Sequence, residues 1–267
     1  HSMDSFYLKI LLNFIVGGVW ITLASTSAER FGSKVGSVLA GLPSTVVVSL
    51  FFITWAQGPE TAQSATTVIP MALSINCFLA IAYSIVAPRR GPFLGLGAGW
   101  LVWFVGQNLL ITLHVAHWAI SAIMALVNVA IAYCVFEFVL RVRSHAKVSL
   151  RYTAWQIVWR ALFSGAIVAF SVIMSRVAGP VWGGIFASFP AVFSSTLIIT
   201  STSVSVGFSL SVVKSLIVSG VINPSVYAIV FRFLVLDVGL VWATTIAYAV
   251  SVGTSFLTYL FIKRNQK

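Results

Sequence analysis

Nine apolar stretches, each close to the length that a helix needs to cross a bilayer, follow one another along the 267 residues with little between them. A spanning helix takes about 20 mostly apolar residues. The stretches run over 7–28, 34–56, 61–87, 93–113, 116–141, 157–177, 181–201, 207–231 and 235–262. Hydrophobic residues make up 59% of the chain and charged ones 8%, and the mean hydropathy is +1.02. No soluble core can enclose that much apolar surface, so most of it must face lipid. Period-2 alternation is missing, which argues against an outer-membrane barrel. The expected class is an all-α polytopic membrane protein. The opening His-Ser-Met reads as an expression scar before a native start at Met3, and no cleavable leader is expected.

The formal net charge of +11 raises nucleic acid as a partner. The basic residues sit at segment ends, however, so topology and anionic lipid headgroups explain them and nucleic acid is not expected. Arg30 and Lys34, then Arg89 and Arg90, then Arg141, Arg143, Lys147 and Arg151 fall in the first, third and fifth connections; the second and fourth hold none. By the positive-inside rule the N-terminus lies outside an inner or plasma membrane and the C-terminus in the cytoplasm. Lys9, Arg176 and Arg232 fall near outer ends.

Shifting the chain by 147 positions brings Gly32 onto Gly179, Gly36 onto Gly183, Ala40 onto Ala187, Pro43 onto Pro190 and Asn76 onto Asn223. Gly, Pro and Asn are scarce enough inside spans that one register matching all of them predicts an internal repeat. Five spans precede the second copy, and an odd number inverts it. The expected plan is a first repeat over 1–115, an inverting helix and cytoplasmic linker over 116–152, and a second repeat over 153–267. Inverted repeats of this kind underlie many secondary transporters.

The stretch AGLPSTVVVSLFFITWAQGPETAQSATTVIPMALSINCFLAIAYSIV, residues 40–86, resembles the core of the GlpM-like small membrane proteins, with a looser likeness from Gly179 to Asn223. The resemblance implies a four-span unit, present here twice in opposite orientations. It implies no catalytic residues and no substrate.

Each motif carries glycines and then a proline inside a span. Proline cannot donate to the carbonyl four residues back, and lipid cannot satisfy what is freed. A kink with tight packing is one explanation. Two interrupted segments at matched positions of an inverted repeat point instead to a binding site at mid-membrane. The candidate substrate-binding residues are therefore Pro43, Ser44, Thr45, Asn76, Pro190, Ser194, Ser195 and Asn223. The hydroxyls can contact a solute or bond back to their own helix, and the asparagines can equally join neighbouring helices.

The acids are Asp4, Glu29, Glu60, Glu137 and Asp237. Glu137 is expected to pair with Arg141 one turn on, and Asp237 with Arg232. Lys214 either snorkels to the cytoplasm or points inward toward an anion. His114 and His117 do not complete a metal site, Cys77 and Cys134 read as small core residues, and no metal or cofactor is expected. No nucleophile–base set, carboxylate pair or phosphate loop is evident, so an enzyme is not expected. The expected function is transport of a small solute or ion by alternating access. A small-ion channel, a lipid scramblase and an accessory membrane subunit are the alternatives. Membrane lipids and a second copy of the chain are the expected partners.

Overall fold

A computed structural model describes residues 2–29, 42–114, 117–142 and 153–265, and among these there is helix but no strand. The elements are α1 (Ser2–Glu29), α2 (Ser44–Gln57), α3 (Pro59–Ala65), α4 (Ile69–Arg90), α5 (Pro92–Thr112), α6 (Trp118–Cys134), α7 (Ala154–Val177), α8 (Pro180–Ala187), α9 (Ala191–Ser203), α10 (Val206–Leu234) and α11 (Gly239–Asn265). Among the described residues seven helical segments are long and apolar enough to cross a membrane, counting Pro180–Ser203 as one, and Tyr7–Leu23 and Ser44–Gln57 are shorter apolar helices. Gly32, Gly36, Ala40 and the start of the 34–56 stretch lie outside the described residues.

Gly-Pro pairs open three helices. Gly58, Gly91 and Gly179 hold φ at 97°, 90° and 97°, each followed by proline in the first helical turn. Glycine alone tolerates that backbone, and proline's missing N–H is no loss where the helix has no partner for it. The 61–87 stretch is not one helix: Thr66–Val68 separates α3 from α4. Pro70 in the first turn of α4 lacks the N–H that would continue the earlier helix. α6 ends in a π-helical turn, Val135–Val139, closed by Leu140 N donating to Val135 O at 2.8 Å.

Polarity is arranged inside out. Leu101, Leu109, Ile123, Leu126, Trp242 and Phe256 are exposed, whereas Ser49, Asn76, Gln107, Asn128, Ser194 and Asn223 are buried. Lipid solvates the first set, and the second must find partners inside. Several do so around α4: Ser121 accepts from Met71 N at 2.9 Å, Gln107 donates to Ala72 O at 3.0 Å, and Asn128 donates to Ser74 Oγ at 2.9 Å. Trp103 is fully buried and Trp20 is half exposed on α1. Cys77 is buried, but Cys134 is exposed rather than in the core.

Small residues set the closest helix contacts. A Cβ on Gly95 would meet Ala87 and one on Gly99 would meet Leu79, so the glycines of α5 let it lie directly on α4. Between α1 and α7, a Cβ on Gly18 would strike the carbonyl oxygen of Ala161, and one on Gly165 would strike that of Phe14. As α1 advances from 14 to 18, its partner retreats from 165 to 161, so the two helices run in opposite directions.

Two ionic expectations are corrected. Glu137 pairs with Lys214 at 2.6 Å, not with Arg141. The π turn widens the helix at Glu137, and Arg141 leaves it with φ at 48°, so the i, i+4 stacking of a regular helix is lost. Lys214, 9% exposed, also donates to Val142 O at 3.3 Å. Arg232 does not turn to Asp237. It donates to Gln63 O at 2.7 Å and to the Thr66 and Thr67 hydroxyls at 3.2 and 2.9 Å, while Gln63 Nε2 donates to Arg232 O at 3.1 Å.

Candidate functional site

The two prolines have nearly the same backbone. Pro43 has φ −76° and ψ 46°, Pro190 φ −78° and ψ 54°. At each, the next residue donates back across the proline: Ser44 N to Leu42 O at 2.7 Å, and Ala191 N to Phe189 O at 2.8 Å. These are inverse γ-turns. Val47 N then donates to Pro43 O, and Ser194 N to Pro190 O, both at 2.8 Å, which starts a new helix. All four residues of the first set stand 147 positions before those of the second.

Both turns open onto one cavity of about 60 Å³, well above the ~10–15 Å³ that one water needs. Pro43, Ser44, Thr45, Asn76 and Pro190 line it, together with Ser188, Phe189, Gly220 and Pro224. Five of the eight residues picked out from the sequence therefore meet at one place. Asn76 donates to Ser188 O at 3.3 Å, and its Oδ1 is buried with no partner. A Cβ on Gly220 would meet nothing within 4 Å, so the cavity wall is bare backbone there. Pro224 has no N–H to return to Gly220 O in the usual helical bond.

Ser194, Ser195 and Asn223 do not line the cavity. The Ser194 hydroxyl accepts from Trp100 Nε1 at 3.0 Å, and Ser195 bonds back to Val192 O at 3.0 Å. Asn223 is fully buried one residue before Pro224, and neither of its amide atoms has a partner among the described residues. Behind the second break, Phe189 sits among aromatic rings, 4.9 Å from Trp103 and 6.0 Å from Phe163 between centroids.

Arg160 was not among the expected site residues. It is fully buried on α7 and donates through Nη2 to Thr196 Oγ1 at 3.1 Å, the residue that follows Ser194 and Ser195. Its place near the start of the 157–177 stretch made it one more basic residue at a span end, and only the packing of α7 on α9 brings it inside.

No side chain caps α2 or α9. Among the described residues the backbone N–H groups of Thr45, Val46, Val192 and Phe193 have no acceptor, and all four residues line the cavity. The carbonyls around the second break are mostly taken. Ser188 N donates to Gly184 O and Ile185 O, Phe189 N to Phe186 O, and Asn76 to Ser188 O. Around the second break, free backbone donors outnumber free backbone acceptors among the described residues.

Residues 10–116 match the family described as "Protein of unknown function (DUF3147)". The match covers less than half of the chain, from α1 through α5. It includes the 40–86 stretch that resembles the GlpM-like proteins but carries a different description. No curated protein and no solved structure matches.

Proposed function

We propose that the chain is a transporter of a small solute in the inner or plasma membrane, working by alternating access around the cavity between the Pro43 and Pro190 breaks. The observation that carries this is the pair of matching γ-turns, each starting a half-helix, that open onto one shared cavity. Broken helices at corresponding positions are how transporter folds hold substrate at mid-membrane.

The reading takes the chain as an inverted repeat of two four-span units. Gly18 and Gly165 differ by 147, as do Phe14 and Ala161, so the α1–α7 contact is reciprocal, which supports a two-fold relation. Counterpart helices that run oppositely across such an axis are what inversion requires. In this plan α1 to α5 form the first unit (1–115), α6 and the basic linker invert the chain (116–152), and α7 to α11 form the second (153–267). The family match over 10–116 fits a unit of that extent. Nine spans leave the N-terminus outside and the C-terminus in the cytoplasm, with α2 and its preceding residues as one span.

The test is uptake into proteoliposomes carrying the purified chain, over a panel of inorganic ions, amino acids, sugars and nucleosides. Saturable uptake of one class, reduced at least tenfold by Asn76→Ala in protein that still inserts, supports the proposal. Rapid flux that does not saturate favours the small-ion channel. Absence of uptake across the panel, with the protein melting as a folded species, overturns transport.

A further inference from the structure

We propose that the cavity between the two proline breaks binds a single small monovalent anion, taken in with part of its hydration shell. The inference rests on reading that cavity as the substrate site, and it names the substrate class.

The sign follows from the helix ends. α2 has 14 residues and α9 has 13, long enough to develop a macrodipole, and both begin at the cavity. Each N-terminus is equivalent to about half a positive charge. Two of them make about one unit, which one monovalent anion neutralises and a divalent anion would exceed. The N–H groups of Thr45, Val46, Val192 and Phe193, without an acceptor among the described residues, supply the donors. Among the described residues no lining residue carries a charge, so a cation there would meet two positive helix ends with no carboxylate to offset them.

Asn76 is the independent sign of a ligand. Its side chain lines the cavity, the residue is 7% exposed, and Oδ1 has no partner among the described residues. A buried amide oxygen left alone is unfavourable. With Nδ2 held by Ser188 O, the free oxygen needs a donor from the cavity's occupant. The Gly220 carbonyl, deprived of its bond by Pro224, needs another. A bare anion supplies neither; a water bound beside it gives one hydrogen to the anion and the other to Asn76 Oδ1.

The experiment melts the purified full chain in sodium gluconate, then with gluconate replaced at equal ionic strength by chloride, nitrate or formate. One of these small anions is expected to raise the melting temperature by about 5 °C at a hundredfold excess over its Kd. Replacing sodium by potassium should not. Gly220→Val, which fills the cavity, and Asn76→Asp, which keeps volume but adds negative charge, should each abolish the anion response. Asn76→Asp serves where the valine fails to fold. Stabilisation by an anion without flux of any solute would support this site and defeat the transport reading. Uptake of a cation or neutral solute that Gly220→Val blocks, with no response to any of the three anions, would support transport and overturn the anion assignment. An anion response unchanged in both variants would also overturn it.

Discussion

Asn223 keeps two polar atoms away from water with nothing among the described residues to bond them. Such a group is destabilising by about 1–3 kcal/mol, so stability alone gives no reason to hold it. An apolar side chain of similar size should do no harm: Asn223→Leu is expected to melt at or above the wild-type temperature while solute uptake falls at least tenfold. Equal loss of both would make Asn223 a packing residue. Arg160 presents the opposite case, a buried guanidinium that uses Thr196 as an acceptor at 3.1 Å. Thr196→Val keeps the shape and removes the oxygen, which should destabilise by about 1.5–3 kcal/mol, the range for hydrogen bonds to charged groups, read from chemical unfolding in micelles. At the Lys214–Glu137 pair the two partners are unequal in burial, with 9% and 37% of the side chain exposed. Glu137→Gln leaves the more buried charge alone and should lower the melting temperature more than Lys214→Met does. The asparagines were legible because a single offset aligned them with prolines and glycines. The pairing of Glu137 was not, since a π turn has no reliable sequence mark and the i, i+4 rule assumes a regular helix.

Among the elements, the half-helices starting at Ser44 and Ala191 were the most legible, because proline ends a hydrogen-bond ladder wherever it falls. The separation of α3 from α4 was hidden, since the Thr66–Val68 turn is as apolar as its flanks and only Pro70 marks it. The reciprocal Gly18 and Gly165 contacts were out of reach, because a glycine in an apolar run says that something lies close but not what. They now give a sharp expectation. Gly18→Ala and Gly165→Ala each drive a methyl group into backbone of the facing helix, where no rotamer can relieve it. Each should destabilise by about 1–3 kcal/mol, and the two effects should be similar in size because the contact is reciprocal. A difference of several-fold between them would count against a two-fold relation of α1 and α7.

At the scale of the molecule, the lipid-facing exterior and the helical class followed from composition. The orientation proposed from charge bias is open to direct test. A cysteine placed at Ser144, on a background lacking Cys77 and Cys134, should react with a membrane-impermeant maleimide only from the cytoplasmic side; labelling of intact cells would reverse the topology. What composition could not foretell is how α10 is held. Lys214 ties it to the end of α6 and Arg232 ties it to the turn between α3 and α4, attachments separated along the helix by about 27 Å at 1.5 Å per residue. Between them lies Pro224, where the ladder is already open, beside the cavity. A beam clamped at two points cannot slide along its length, and a beam with a joint at mid-span deflects there. Under the proposed transport cycle, opening the cavity to either side of the membrane acts on α10 by bending it, with the anchors fixed and the middle moving.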